Sequence, residues 1–138
     1  MKHYKVGYTA GVFDLFHVGH LNLLQRAKAQ CDYLIVAVTI DELVKYKNKE
    51  ATIPFEDRCR IVEAIRYVDK VVPQVSMDKK SAWEKYHFDV MFVGDDWKGT
   101  EKWNQYEKEL SEVGVDIVYF PYTKKVSSTK ILEKIKSH

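Results

Sequence analysis

Short apolar runs and longer amphipathic stretches alternate along this chain. Residues 5–12, 33–39 (YLIVAVT), 70–73, 90–94 (VMFVG) and 116–120 are strand-length and rich in apolar and β-branched side chains. Nearly continuous apolar runs of this kind suit strands covered on both faces. Between them the apolar period changes. In residues 18–30, Leu21, Leu24 and Ala27 recur on one face with Leu23 beside them. In 55–67 the stripe is Cys59, Val62 and Ile65, and in 101–113 it is Trp103, Tyr106, Leu110 and Val113. This three-and-four spacing predicts amphipathic helices. Residues 81–87 read as a short helix. Residues 127–136 read as a last one, with Ile131, Leu132 and Ile135 as its stripe and Ser127, Ser128 and Thr129 offering N-caps. Residues 41–50 are charged and show no decisive period, the ordinary look of a solvated face.

Strand and helix in this rhythm predict an α/β fold: a single Rossmann-like domain over residues 1–138, with a parallel sheet of about five strands and helices on both faces. In such sheets ligands bind beyond the carboxyl ends of the strands, near the point where strand order reverses. No composition shift, Gly/Ser/Pro-rich stretch or internal repeat divides the chain. The formal net charge of +2 gives no general attraction to nucleic acid or an acidic membrane, so a polyanion must be drawn by a local arrangement. No apolar stretch approaches the ~18 residues of a membrane span, and residues 1–6 are unlike a signal peptide. Cys31 and Cys59 form no CxxC pair and read as reduced cysteines of a cytoplasmic protein.

The chemistry concentrates where the first strand meets the first helix, in Gly11-Val12-Phe13-Asp14-Leu15-Phe16-His17-Val18-Gly19-His20. Two histidines three apart at a helix start lie on one side of its first turn. Gly19 lets a bulky ligand approach the backbone. The helix start adds free N–H groups and the positive end of the dipole, which together suit phosphate. A lone histidine here would be an ordinary polar residue; the pair with Gly19 between them points to function. Zinc would need further thiols or histidines at ligand spacing, so no metal ligands are assigned. A Walker loop and a GxGxxG fingerprint are absent.

The run GVFDLFHVGH resembles the HxGH signature of the nucleotidyltransferase superfamily. Arg66-Tyr67-Val68-Asp69 and Gly94-Asp95-Asp96-Trp97 resemble the RYVD and GDDW motifs of small bacterial cytidylyltransferases. Residues 122–130, YTKKVSSTK, resemble the motif RTEGISTTK of that family. The four motifs keep the family's order and nearly its spacing, and the match runs over essentially the whole chain. The resemblance implies catalytic roles for His17, His20, Lys47 and Arg66. It implies a nucleotide site that includes Gly11, Phe13, Asp14, Gly19, Lys49 and Asp69. Gly94, Asp96, Thr123, Ser127 and Ser128 complete that site, with Asp96 near the cytosine. Arg58 and Tyr122 would face the acceptor. Tyr122 stands where the family has arginine; Lys124 and Lys125 follow it and bring charge without the planar fork.

The reaction so implied is transfer of CMP from CTP to a small alcohol phosphate with release of pyrophosphate. The motifs lie closest to members whose acceptor is glycerol 3-phosphate, in the supply of teichoic acid or polysaccharide precursors. Such transfer relies on positioning and on cations that meet developing negative charge. Mg²⁺ or another divalent cation would accompany CTP, and a homodimer is expected. Other acceptors (phosphocholine, ribitol phosphate), an ATP-using adenylyltransferase and a catalytically silent nucleotide-binding module are the competing readings. The Trp103, Tyr106 and Leu110 stripe reads as core or subunit contact, not as a base-stacking platform.

Overall fold

The computed structural model describes residues 3–46, 51–95 and 98–121. In chain order the elements are β1 (Tyr4–Gly11), α1 (Val18–Ala29), β2 (Cys31–Thr39), α2 (Asp41–Tyr46), α3 (Phe55–Glu63), β3 (Lys70–Gln74), α4 (Lys79–Tyr86), β4 (Val90–Gly94), α5 (Glu101–Ser111) and β5 (Asp116–Phe120). The five strands form one parallel sheet in the order β3-β2-β1-β4-β5. The strand-and-helix rhythm therefore yields the expected Rossmann-like α/β sheet.

Each face of the sheet has its own core. On one side Leu24 and Ala27 of α1 and Val62 of α3 pack on Leu34, Val36 and Val38 of β2. On the other, α5 sets Trp103 and Leu110 against Tyr8, Ile35 and Ala37. Alternate residues of β2 thus enter opposite cores, as the period of two requires, and both are apolar because both faces are covered. Gly7 in β1 is required by close approach: a Cβ there would lie 2.6 Å from Phe92 Cε2 and 2.8 Å from Cys31 Sγ.

Several boundaries shift for identifiable reasons. β2 begins at Cys31, two residues early, because Tyr4 pairs with it and draws Gln30 and Cys31 into the ladder. α4 begins at Lys79, where the Asp78 carboxylate caps the N–H groups of Lys80 and Ser81. α3 stops at Glu63, and residues 64–69 turn the chain back to the start of β3. The charged stretch at 41–50 opens with a short helix, α2. The expected helix at 127–136 lies outside the described residues.

Strand order reverses between β1 and β4. The two strands pair only at Gly7 with Val90 and Tyr8 with Met91, whereas β1 and β2 stay paired up to Gly11 and Val38. Beyond Tyr8 the Thr9 hydroxyl takes over, donating to Phe92 O at 2.9 Å. The crevice at the carboxyl edge starts there.

Candidate active site

β1 delivers the chain to α1 through a loop with two residues in the left-handed region, Phe13 (φ 54°) and Leu15 (φ 48°). Such conformations cost roughly 1–3 kcal/mol each and persist where packing over-determines them. Phe13 is held by the core. Its ring lies 6.3 Å from Phe16 and meets His20 edge-on at 5.3 Å. Its buried ring therefore supports His20, which leaves only the Phe13 backbone for the nucleotide contact that the motif implied.

His17 is the N-cap of α1. Its Nδ1 accepts from Gly19 N at 3.0 Å, while His20 Nδ1 accepts from His17 N at 3.2 Å. A nitrogen that accepts carries no hydrogen, so in each neutral ring Nε2 bears the proton. The rings stack with centroids 4.0 Å apart. Burial, then the neighbouring His17, pushes the His20 pKa down to about 4 against a weaker opposing pull from Asp14. Burial also lowers that of His17. Near neutral pH the pair is uncharged: two Nε2–H donors at the positive end of a helix, suited to phosphate oxygens.

A hydrogen-bond network centred on Asp14 and Arg58 holds this loop against the segment before α3. The Asp14 carboxylate accepts from Thr52 N at 2.8 Å and Ile53 N at 2.9 Å. Arg58 is fully buried. Its Nε donates to Ile53 O, its Nη1 to Val12 O and Thr39 O, and its Nη2 to the Asp41 carboxylate. With four hydrogen bonds spent inside the protein and no exposed surface, Arg58 ties loops together and does not meet the acceptor as expected.

Arg66 and Asp69 also fall elsewhere. α3 leaves the carboxyl edge at Arg58 and runs back to the amino ends of the strands, as a parallel crossover must. Arg66 is exposed there, its guanidinium 5.6 Å from the Tyr67 ring centroid. Asp69 accepts from Leu34 N at 2.8 Å and pairs with Lys28 at 2.6 Å. It precedes β3, whose carboxyl end is roughly 16 Å away at about 3.3 Å per residue. Within one chain, then, these two residues are not brought to the histidines; Asp69 clamps the sheet. Gly11 and Gly94 end β1 and β4 at the carboxyl edge. Lys47, Lys49, Asp96, Tyr122, Thr123, Ser127 and Ser128 lie outside the described residues.

A cavity of about 310 Å³ opens at the same edge, on the α4/α5 side. Ala10 and Gly11 of β1, Thr39, Gln74, Met77, Lys79, Lys102, Trp103 and Tyr106 contribute to its wall. Trp103 and Leu110 are core residues as read from their spacing, and Trp103 and Tyr106 form cavity wall as well. The linear pattern did not single out Lys79 or Gln74. Lys79 lies in a charged Asp-Lys-Lys run, and only the tertiary fold turns it beneath α5. Among the described residues no group of three or more His, Cys, Asp or Glu is gathered to hold a metal.

The strand order and the donor-bearing helix start define a Rossmann-like α/β sheet with two paired imidazoles at its carboxyl edge. The chain belongs to the cytidylyltransferase-like family, whose model matches residues 8–134. It is 44% identical over 128 residues to glycerol-3-phosphate cytidylyltransferase of Bacillus subtilis (strain 168), covering 92% of this chain and 94% of that protein. The enzyme of the same name from Staphylococcus aureus (strain NCTC 8325 / PS 47) is 37% identical, with 92% of each chain covered. FAD synthase of Pyrococcus horikoshii is 36% identical over 92% of this chain and 89% of that one. Among solved structures, the lipopolysaccharide core biosynthesis protein from Thermoplasma volcanium GSS1 superposes with a TM-score of 0.74 at 21% identity. It covers 89% of this chain and 99% of its own, and shares the fold.

Proposed function

We propose that the protein transfers CMP from CTP to glycerol 3-phosphate and releases pyrophosphate. The observation that carries this reading is the 44% identity to a glycerol-3-phosphate cytidylyltransferase over nearly the full length of both chains. The paired Nε2–H donors of His17 and His20 support it, because they suit a reaction that concentrates charge on phosphate oxygens. An oxygen of the acceptor phosphate, already anionic, attacks the α-phosphorus of CTP. The bond from that phosphorus to the bridging oxygen breaks, and pyrophosphate carries the electron pair away. The histidines need not move a proton; as neutral donors they stabilise the crowded equatorial oxygens. Lys47, Lys49, Asp96, Thr123, Ser127 and Ser128 keep the roles that the motif resemblance suggests.

The described residues offer no acidic cluster for a resident cation. We propose that Mg²⁺ accompanies the triphosphate, and no step is assigned to it. A CDP-linked alcohol would serve reactions that build phosphate-linked polymers such as teichoic acid, in the cytoplasm where CTP is made. We also propose a two-fold homodimer, the commonest closed assembly. Val18 and Ile61, on the helices that share one face of the sheet, leave apolar surface exposed for it. Light scattering that returned a monomer would remove this proposal.

The test of the reaction is a matrix of nucleoside triphosphates against alcohol phosphates, followed by pyrophosphate release. CTP should exceed ATP by well over about tenfold in kcat/KM, since buried polar readout discriminates strongly. Equal use of ATP would favour adenylyl transfer, the second reading, which the similarity to FAD synthases keeps in view.

A further inference from the structure

The helix start that carries the histidines is closed by an aromatic side chain with no phosphate chemistry of its own. Phe16 stands directly before His17, the N-cap of α1. An apolar side chain at that place ordinarily packs on the fourth residue of the helix and fixes the angle at which the chain enters. Here its ring packs on the third, His20, with centroids 5.2 Å apart and planes tilted by 39°. Phe13, 6.3 Å from Phe16, meets His20 edge-on at 5.3 Å, and His17 stacks on it at 4.0 Å. The His20 imidazole thus has three aromatic neighbours. Phe13 belongs to the core, whereas Phe16 is half-buried and packs against it, so its contact with His20 can be altered without emptying the core.

This packing decides what the imidazole can do. His20 Nδ1 accepts from His17 N at 3.2 Å, and Nε2 bears the hydrogen. A second proton has to enter at Nδ1, where it would confront the His17 N–H, donor against donor. The charged ring must then turn away from the helix cap, and that movement parts it from Phe16. The titratable groups that bear on His20 are His17, which disfavours its charged form, and Asp14, which favours it more weakly. Burial among the rings outweighs both and keeps the imidazole neutral near pH 7.

Resting on the reaction proposed above, we infer that Phe16 is a positioning residue: its ring clamps the His20 imidazole onto the helix cap, so that the Nε2–H donor keeps one direction toward the phosphate oxygens throughout the transfer. Phe16 touches no reacting atom and acts through His20. A donor that is already aimed needs no reorganisation as the transition state forms, which is where such a group has most effect. The hydrophobic contact that sets the helix entry angle therefore also sets the aim of the catalytic ring.

The experiment follows the His20 ring protons by NMR through a pH titration without substrate, in wild type, Phe16→Ala and Phe16→Leu, with His20→Gln to identify the resonances. Phe16→Ala should raise the His20 pKa by about one unit or more, as water reaches the ring. Phe16→Leu, which keeps an apolar cover, should restore the wild-type value. In turnover of CTP with glycerol 3-phosphate, Phe16→Ala should lower kcat roughly tenfold near neutral pH, a part of what losing a transition-state donor brings. Its kcat relative to wild type should fall further as pH drops toward about 5 and His20 takes up its proton. Titration of the acceptor phosphate is common to both proteins and cancels in that ratio. CTP affinity measured without acceptor should stay near that of wild type. If circular dichroism shows Phe16→Ala unfolded, Phe16→Val, which keeps apolar volume without the reach of a ring, is read in the same way. A folded variant with the wild-type His20 pKa overturns the inference, and so does one whose pKa rises while kcat stays at the wild-type value. A wild type that turns over no CTP with glycerol 3-phosphate overturns the proposed reaction instead; the titration is read without substrate and still decides whether Phe16 holds the ring.

Discussion

At the scale of single residues, the histidine pair joins local structure to chemistry most directly. Each ring spends Nδ1 on capping α1, and that use fixes the hydrogen on the outward nitrogen. The caps and the donors are the same two side chains. Replacing either should lower kcat by about a hundredfold, the scale of losing one transition-state donor. Steady-state turnover of His17→Ala and His20→Ala checks this, with circular dichroism confirming the fold; near-normal turnover in either would remove it from the mechanism. This pair was legible from sequence because its geometry is local: three residues of separation at a helix start decide it. Asp69 and Arg66 were not legible in the same way. A motif gives a residue's place along the chain, but which edge of the sheet it reaches depends on where α3 ends and β3 begins. Lys79 was hidden for a related reason, since its burial comes from α5, more than twenty positions later.

At the scale of elements, the crossing of α2, α3 and the two loops turns on Arg58. Its guanidinium joins the ends of β1 and β2, the start of α2 and the segment before α3. Removing it takes a donor from the Asp41 carboxylate, which keeps Phe55 N, and from three carbonyl oxygens, two of them at strand ends beside the site. Arg58→Ala should therefore destabilise the protein by about 3 kcal/mol, the scale of losing several hydrogen bonds made by a buried guanidinium. A urea titration measures this. A variant of wild-type stability that had lost only acceptor affinity would instead restore the direct contact suggested by the motif. Sequence patterning located α3 well at its start, Phe55. It overran the end, because Ile65, Tyr67 and Val68 continue an apolar pattern although they pack onto the core from a turn. Side-chain period reports which face is buried; it does not report whether the backbone carrying that face is still helical.

At the scale of the whole molecule, the alternation of apolar runs and amphipathic stretches made the sheet and its two covering layers legible. Strand order was not, since pairing β1 with β4 brings together segments separated by about eighty positions that no local pattern links. That pairing creates the crevice, and the crevice carries a cost that pH reveals. His20 sits over Phe13 and beside Phe16 in the folded protein, with its pKa pushed down to about 4, whereas an unfolded histidine titrates near 6.5. Between these values the unfolded chain binds the proton and the folded one does not. Stability from the neutral ring is therefore fully present above about pH 6.5, is lost as pH falls, and levels off below about pH 4. The interval corresponds to roughly 3 kcal/mol at 1.36 kcal/mol per pKa unit. Carboxylates titrate in the lower part of this window, so wild type alone cannot isolate the effect. The difference between wild type and His20→Gln can: in chemical denaturation without nucleotide, wild type should lose about 2–4 kcal/mol relative to the variant between pH 7 and pH 4. A difference that stayed constant across that range would mean that His20 is as accessible to protons as a histidine in the unfolded chain, and the account of it as a buried neutral donor would be wrong.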